Sequence, residues 1–313
     1  MEVTGWLCLC LLLHCIELAS SLRGKLLFSN STSIMEFDVA TQNVTPLIEH
    51  AGSRLFALDF DYSKGYVYFP RALQQEIMRF PYTSTNRTLQ TVVKTGLLPV
   101  GLAVDSVNEH VYWIEYYGFE LYRCNMDGTN ITVLSTLRNP FVIRLDVTNR
   151  WIYILETQPT ASRILKSRFD IAITQTIVNL TTHVLCMAID NDENRLYWMI
   201  DDGDIQSAKD DGSDVKTILS TNVSISNCAI DVFGSYVYYA YGSHLLLLNK
   251  AQETQTVLCN YTSRIDGIFV FKSGRNNTKI WRGIPLMCKF HAIRKPLKNQ
   301  IQILIAWTSL TQN

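Results

Sequence analysis

Internal repetition constrains the fold of this chain more than any other feature of its sequence. Five aspartates recur at intervals of 44, 41, 44 and 41 residues, and a tyrosine follows each of them after seven residues. The aspartates are Asp61, Asp105, Asp146, Asp190 and Asp231, and the tyrosines are Tyr68, Tyr112, Tyr153, Tyr197 and Tyr238. A near-constant period of this length indicates one supersecondary unit copied along the chain.

Each repeat has the pattern of four short strands. A short apolar stretch precedes the aspartate, turn-forming residues follow it, and the tyrosine lies in a β-branched or aromatic run such as residues 111–113. Two further strand-like runs complete the unit, for example at residues 121–122 and 131–134. Four strands per repeat without helical periodicity predict the blade of a β-propeller, because radial closure buries the apolar faces of neighbouring sheets.

The two ends of the chain together supply one more blade. Five complete units run from about residue 53 to residue 260. Residues 26–28, 34–37 and 44–48 match the second, third and fourth strands of a unit, and residues 265–271 match the missing first strand. The sequence therefore predicts an all-β, six-bladed propeller over residues 22–272, whose ring is closed by joining the N- and C-terminal strands in one blade.

The tyrosine strands also resemble a known family. Residues 111–115 read Val-Tyr-Trp-Ile-Glu and residues 196–201 read Leu-Tyr-Trp-Met-Ile-Asp, and no copy has threonine after the tryptophan position. This organisation resembles the YWTD propeller, or class B repeat, of the low-density lipoprotein receptor family. The resemblance implies an extracellular protein-binding module, similar to those of lipoprotein receptor-related proteins and Wnt co-receptors. The alternative is a matrix-associated propeller resembling that of nidogen.

The N-terminus and the sequons predict export. Residues 1–21 have the short apolar core and small-residue cleavage site of a signal peptide. Eight sequons predict glycosylation, at Asn30, Asn43, Asn86, Asn130, Asn179, Asn222, Asn260 and Asn276. Residues 301–310 are too few to span a bilayer. We therefore expect a secreted protein without a membrane span, which acts as a soluble competitor or carrier for the ligands of such receptors.

The remaining composition limits partners and covalent structure. Formal net charge is zero, so charge gives no reason to expect nucleic acid as a partner. Five cysteines remain after removal of the signal peptide, namely Cys124, Cys186, Cys228, Cys259 and Cys288. The odd number leaves at least one thiol free or paired with another chain, and the pairing is open. Residues 273–313 form a C-terminal tail, in which Cys288 is the candidate start of a truncated epidermal-growth-factor-like module.

The repeated polar residues have a structural interpretation and a chemical one. A ring of aspartates could hold Ca²⁺, but a metal site needs ligands that converge at one place. One acid per blade at the same strand-to-turn position better suits carboxylates that accept backbone N–H groups of their own or the adjacent blade. The tyrosines are interpreted as packing between blades, each phenol with a hydrogen-bond partner. Histidines without metal-ligand spacing and the lack of a nucleophile motif predict no metal, no cofactor and no catalysis. A propeller hydrolase is the alternative, and it would need polar residues converging at the channel mouth.

The sequons also suggest where a partner docks. In a four-stranded blade the 2–3 and 4–1 connections share one face, which is shielded by predicted glycans over the later blades and open over the units of Tyr68, Tyr112 and Tyr153. Candidate ligand-binding residues in this open region are Arg71, Glu115, Tyr116, Tyr117, Phe119, Glu120, Arg138 and Glu156. The alternative is that the aromatics fold back onto the blade. His110 and His183 are candidates for pH-dependent binding, against the simpler interpretation as exposed turn histidines.

Overall fold

The computed structural model describes residues 24–50, 52–221 and 223–272. The predicted signal peptide, Asn222, Asn276, Cys288 and the tail from residue 273 lie outside these residues. The described chain contains 24 strands and no helix. The strands form six sheets of four antiparallel strands each, which confirms the all-β, six-bladed propeller. Consequently, no described element is a helix capable of spanning a bilayer.

Blades 1 to 5 each use four consecutive strands, numbered from the innermost to the outermost. Blade 1 has β4 (Asp59–Asp61), β5 (Tyr66–Arg71), β6 (Glu76–Pro81) and β7 (Gln90–Lys94). Blade 2 has β8 (Pro99–Asp105), β9 (His110–Glu115), β10 (Glu120–Asn125) and β11 (Thr132–Thr136). Blade 3 has β12 (Pro140–Asp146), β13 (Trp151–Gln158), β14 (Ala161–Arg168) and β15 (Thr174–Leu180). Blade 4 has β16 (Val184–Asp190), β17 (Arg195–Ile200), β18 (Ile205–Lys209) and β19 (Lys216–Leu219). Blade 5 has β20 (Ala229–Phe233), β21 (Tyr236–Tyr241), β22 (His244–Asn249) and β23 (Thr254–Asn260).

Blade 6 is assembled from both ends of the described chain. Its strands are β24 (Gly267–Val270), β1 (Lys25–Ser29), β2 (Ser33–Asp38) and β3 (Asn43–Glu49), in that spatial order. The register pairs Phe28 with Ile268 and Ser29 with Gly267. The predicted closure of the ring by the two chain ends is confirmed.

Buried side chains on the motif strands join each blade to its neighbours. Successive residues of a strand face opposite sides of the sheet, so the motif tyrosine and the residue after it enter different interfaces. Tyr197 packs into an apolar cluster shared with blade 5, whereas Trp198 packs into a cluster shared with blade 3. The phenols find partners, as predicted, at Tyr68 (Arg79), Tyr153 (Asp210) and Tyr197 (Glu193). The prediction was wrong at Tyr112, whose buried hydroxyl has no hydrogen-bond partner among the described residues. The motif therefore holds adjacent sheets together.

Aromatic rings dominate the seam between blade 6 and blade 1, where the ring closes. The Phe271 ring lies 5.1 Å from the Phe60 ring and 4.9 Å from the Tyr82 ring, measured between centroids. Phe269 adds a third ring, 5.3 Å from Phe271. All four side chains are buried. Since aromatic pairs stabilise beyond the area that they bury, this cluster secures the last interface of the ring.

Four of the repeated aspartates cap the turn between the first and second strands. Asp105 Oδ1 accepts the backbone N–H groups of Val107 and Asn108, both at 3.1 Å. Asp61, Asp146 and Asp190 accept backbone N–H groups of their own turns in the same way. The interpretation as turn caps is confirmed at these four positions.

Asp231 is not the structural equivalent of the other four. The hairpin of blade 5 is shorter, since Phe233 pairs with Tyr236 across only two turn residues. Asp231 therefore lies opposite Tyr238, in the register that Asp59 occupies opposite Tyr68. Both carboxylates accept an N–H from the next blade, Asp59 from Val104 at 2.7 Å and Asp231 from Val270 at 2.8 Å. The predicted acceptance of backbone N–H groups from its own or the adjacent blade therefore holds for Asp231. The expectation that it lies at the same strand-to-turn position as the other four was wrong, because turn length changed while the spacing to the tyrosine did not.

One disulfide links the inner strands of two adjacent blades. Cys186 and Cys228 are bonded and lie 42 residues apart, which is one repeat of the sequence. Corresponding positions of neighbouring inner strands approach each other near the axis, and here the two Cα atoms are 5.9 Å apart. Cys124 is a buried free thiol and Cys259 is a partly exposed one.

We expect the seam to limit the stability of the ring. Phe271→Ala removes a side chain that three rings contact, and should lower the free energy of unfolding by about 3–5 kcal/mol. Val107→Ala, at an exposed turn position, is the control and should change it by less than about 0.5 kcal/mol. Reversible urea unfolding measures both. Equal midpoints for Phe271→Ala and the parent would show that closure does not depend on the seam.

The disulfide should stabilise the fold by restricting the unfolded chain. Cys186→Ala with Cys228→Ala should cost about 2–4 kcal/mol of unfolding free energy. Cys259→Ala removes an unbonded thiol and should cost less than about 1 kcal/mol. Urea unfolding provides the energies, and mass spectrometry of non-reduced tryptic peptides checks the bond. A parent protein whose stability is unchanged by a reductant would contradict the prediction.

Candidate docking surface

Four neighbouring connections form a continuous surface on one face of the propeller. They are residues 72–75, 95–98, 116–119 and 137–139, which join β5 to β6, β7 to β8, β9 to β10 and β11 to β12. We call them the docking arc. A chain of backbone hydrogen bonds ties them together, from Thr95 N to Gln75 O, Tyr116 N to Leu98 O, Leu137 N to Phe119 O and Thr157 N to Asn139 O, at 2.6 to 3.0 Å. The arc is therefore one connected surface.

The accepting residue of each of these bonds has a left-handed backbone. The φ angles are 53° at Gln75, 46° at Leu98, 55° at Phe119 and 48° at Asn139. Residues with a Cβ adopt this conformation at a cost of roughly 1–2 kcal/mol. In blades 4 and 5 the corresponding connections have glycines with positive φ, Gly203 and Gly242. All four accepting residues of the arc thus carry a side chain despite this cost.

Two buried glutamates hold the connections of the arc in place. Glu115 accepts the N–H groups of Gly96 and Leu97 at 2.8 and 2.9 Å, and Glu156 accepts the N–H of Arg138 at 2.5 Å as well as a bond from Arg163. Both residues are 3% exposed. This placement does not support direct ligand binding by Glu115 and Glu156. They are positioning residues, because they hold the backbone of the arc in place. The hydrophobic pattern at the strand ends did not reveal this role.

Two further predicted ligand residues are engaged within the protein. The Arg71 guanidinium pairs with the buried Glu76 carboxylate, whose other oxygen lies 2.5 Å from Lys94 Nζ. Burial raises the pKa of Glu76, but hydrogen bonds from Lys94 and Arg71 outweigh it and hold that pKa below its usual value. Glu120 accepts the Tyr122 hydroxyl at 2.5 Å.

The apolar side chains of the arc divide into an outward and an inward set. Leu73, Leu97, Tyr117 and Phe119 are 70%, 48%, 65% and 38% exposed. Tyr116 instead packs on the core cluster of blades 2 and 3, with its ring 6.3 Å from that of Phe141. The folded-back alternative therefore holds for Tyr116, while Tyr117 and Phe119 face solvent. Arg138 is exposed and has no ion pair among the described residues.

The sequons lie largely where the sequence placed them. Asn43, Asn86 and Asn130 are exposed on the face opposite the arc, and Asn179 and Asn260 are exposed at the ends of β15 and β23. Asn30 is buried, its Oδ1 accepts the N–H of Ser33 and its Nδ2 donates to Ser263. A glycan at Asn30 is disfavoured because it would displace these bonds. Occupancy at the other sequons stays a prediction.

The cavity at the mouth of the central channel is too small for a small-molecule site. Its volume is about 20 Å³, and its lining includes Phe56, Phe141, Arg144 and Cys186. This is room for about one water molecule, whereas small-molecule sites occupy ≈ 300–1,000 Å³. The described residues contain no group of three or more His, Cys, Asp or Glu side chains that could hold a metal ion.

Comparison with known proteins shows which propellers this chain is similar to. No family model matches the chain. A stretch of 144 residues, 45% of the chain, is 29% identical to low-density lipoprotein receptor-related protein 5 of Mus musculus, of which it covers only 9%. A chain in the crystal structure of a nidogen/laminin complex superposes with a TM-score of 0.70 at 17% identity, covering 78% of this chain and 97% of that one. The described residues therefore share the fold of the nidogen propeller, and the chain resembles the YWTD propellers of the low-density lipoprotein receptor family.

The YWTD propeller also shares its general architecture with an enzyme. A gluconolactonase from Xanthomonas campestris superposes with a TM-score of 0.59 at 13% identity, covering 69% of this chain and 78% of that one. At this identity the likeness concerns the fold alone. The expectation that the chain is not an enzyme therefore stays a prediction.

One histidine of the propeller is buried beside the arc, and the sequence did not single it out. His50 packs beneath Phe69, and neither ring nitrogen makes a hydrogen bond of good geometry within the described residues. Burial lowers the pKa of His50 to about 4, and the positive charge of Arg71 adds to this. Burial also lowers the pKa of His110. His183 is partly exposed, and its role in binding stays a prediction.

The buried His50 should make the propeller sensitive to acid. The unfolded chain takes up the proton near pH 6.5 and the folded protein only near pH 4. Stability is therefore full above pH 6.5 and falls by up to about 3 kcal/mol as the pH drops to 4. His50→Leu should remove this loss, and the difference between its urea-unfolding pH profile and that of the parent isolates it.

The exposed His244 provides the matched control for this measurement. His244→Gln replaces an exposed ring outside the environment of His50 and should keep the pH profile of the parent. A His50→Leu profile that parallels the parent between pH 6.5 and 4 would contradict the assignment of acid sensitivity to His50.

Proposed function

We propose that this chain is an extracellular protein-binding propeller and that its partner docks on the docking arc. The observation that carries the proposal is the exposure of Leu73, Leu97, Tyr117 and Phe119 on a single, hydrogen-bonded surface. Contiguous exposed apolar side chains on a soluble domain are characteristic of interaction sites. Aromatic anchors surrounded by polar residues are typical of binding hot spots.

The rigidity of the arc suits it to binding. Backbone hydrogen bonds and the carboxylates of Glu115 and Glu156 fix its connections before a partner arrives. A fixed surface loses little conformational entropy on association, so more of the contact energy becomes affinity. The strained backbone at Leu98 and Phe119 fits this interpretation, because strain persists at functional sites when the surrounding structure enforces it.

The extracellular setting rests on the relatives and on the sequence together. The curated relative is a lipoprotein receptor-related protein, and the solved structure is a complex of nidogen with laminin. The apolar N-terminal segment and the exposed sequons are consistent with secretion and glycosylation. In this proposal the secreted chain acts as a soluble competitor or carrier for a receptor ligand, including ligands of Wnt co-receptors. The nidogen likeness supports a matrix partner as the second candidate.

A propeller hydrolase has less support. It would need a polar pocket at the channel mouth, and the cavity there is about 20 Å³ and lined by Phe56, Phe141 and the Cys186–Cys228 disulfide. The charged groups of that lining, Arg144 and Asp266, are held by other contacts, Arg144 by the carbonyl of Ile143 and Asp266 by Arg264. We therefore propose no catalytic role.

Replacing the two exposed aromatic side chains should weaken partner binding strongly without unfolding the propeller. A partner is captured from extracellular fluid with the secreted, glycosylated protein at neutral pH, identified, purified and titrated. Tyr117→Ser with Phe119→Asn should raise the Kd for this partner by about 100-fold, since each anchor of this kind contributes about 1–2 kcal/mol or more. Asparagine is chosen at residue 119 because it tolerates the left-handed backbone.

The matched control alters two exposed apolar side chains on the opposite face. Val107→Ser with Ile173→Ser changes side chains that are 46% and 57% exposed, in turns of blades 2 and 3. This variant should bind as the parent does. If the aromatic variant keeps the parent's Kd, or if the control loses binding equally, the docking arc is not the binding surface.

A further inference from the structure

The charges on the face that carries the docking arc are divided between its two sides. The four connections of the arc contain no aspartate or glutamate, and their single charged residue is Arg138. The strand residues that flank them include Lys94 and Glu120, and the Glu120 carboxylate accepts the Tyr122 hydroxyl at 2.5 Å. In blade 4 the connection between β17 and β18 contains Asp201, Asp202 and Asp204. A partner that approaches this face therefore meets an apolar and cationic region on one side and an acidic one on the other.

The buried carboxylates at the base of the arc are all paired with groups of the protein itself. Glu76, Glu115 and Glu156 are at most 3% exposed. Glu76 is bound by Arg71 and Lys94, Glu115 by two backbone N–H groups and Glu156 by Arg163 and a backbone N–H. Because their oxygens already accept hydrogen bonds and face inward, they offer no acceptor to the cations of a partner.

The cations of the arc stay accessible, and they lie beside the apolar anchors. The Lys94 side chain is 71% exposed although its ammonium contacts Glu76, and it precedes Leu97 by three residues. The bond from Leu137 N to Phe119 O places Arg138 next to Phe119. The Arg138 N–H is held by Glu156, whereas its guanidinium has no ion pair among the residues that the structure describes. Two connections of the arc thus have a cation within or next to them, Arg138 in residues 137–139 and Lys94 before residues 95–98.

We infer that the partner of the docking arc is an acidic protein segment, in which an apolar side chain packs among Leu97, Tyr117 and Phe119 while a neighbouring carboxylate pairs with Arg138. This inference rests on the proposed function and adds the chemistry of the partner. A guanidinium binds a carboxylate through two parallel hydrogen bonds, which adds direction to the contact. Lys94, whose ammonium also contacts Glu76, provides a second, less directional cation next to the connection at residues 95–98.

The partner's charge can be tested before its identity is known. Random linear peptides displayed on phage are selected on the secreted protein at neutral pH. The proposal expects enrichment of sequences that carry Asp or Glu within a few positions of an aromatic or large aliphatic residue. Synthetic copies of the enriched peptides should bind with a Kd that rises with added salt, because exposed ion pairs are screened.

Variants of the protein locate the charge requirement. Arg138→Glu should raise the Kd of the enriched acidic peptides by roughly tenfold or more. A repeated selection on this variant should shift towards Lys- and Arg-containing sequences. The matched control is Lys216→Glu, which reverses an exposed cation at the start of β19 and should change the Kd by less than about twofold. Urea unfolding of both variants verifies that the fold is kept.

Other outcomes separate this inference from the proposed function. Enriched peptides that lose binding in the Tyr117→Ser, Phe119→Asn variant, but that carry no acidic residues and ignore Arg138→Glu, would overturn the acidic partner and leave the arc as the docking surface. Peptides that ignore both variants would overturn the arc itself. Selection of no peptide, together with Arg138-dependent binding of heparin, would assign the arc to a sulfated polysaccharide and overturn the acidic segment.

Discussion

The fold depends on the burial of sheet faces that no single blade can bury. Each four-stranded sheet exposes two apolar faces, and each face is covered only by the neighbouring blade, as Tyr197 and Trp198 show by packing to opposite sides. An open row of such sheets would leave one face bare at each end. Closure removes both bare faces at once. The aromatic seam of Phe60, Tyr82, Phe269 and Phe271 therefore stabilises the ring as a whole, beyond the contacts that these rings make.

This constraint also decides which parts of the chain are free to carry function. The inner strands are held by contacts around the propeller axis. There Asp59 and Asp231 accept hydrogen bonds from the next blade, and a disulfide joins blades 4 and 5. The connections belong to the core only in part, since Tyr116 packs on a core cluster while Leu73, Leu97, Tyr117 and Phe119 face solvent and can contact a partner. In the arc, buried Glu115 and Glu156 provide the anchoring that a loop normally lacks. Strand packing thus supplies rigidity to a surface made of loops.

The strands, their grouping and the closure of the ring could be predicted, because strand periodicity and a repeat of about 43 residues are properties of the sequence alone. The role of Asp231 could not, since a turn shorter by two residues moves it towards the channel without changing its distance to Tyr238 in the chain. The disulfide did leave a trace, because Cys186 and Cys228 are one repeat apart and both precede the repeated aspartate. The separation of Tyr116 from Tyr117 depends on how one loop turns, which residue type does not determine.

The left-handed residues of the arc have a consequence for how such a surface can change over time. Gln75, Leu98, Phe119 and Asn139 contribute to the arc through their carbonyl oxygens, and a carbonyl is present whatever the side chain. The exposed side chains at positions 73, 97, 117 and 119 can therefore be substituted while the hydrogen-bonded backbone of the arc stays the same. A lineage of such propellers can acquire new partners by a handful of substitutions, each tolerated by the ring before it is useful to the binding site.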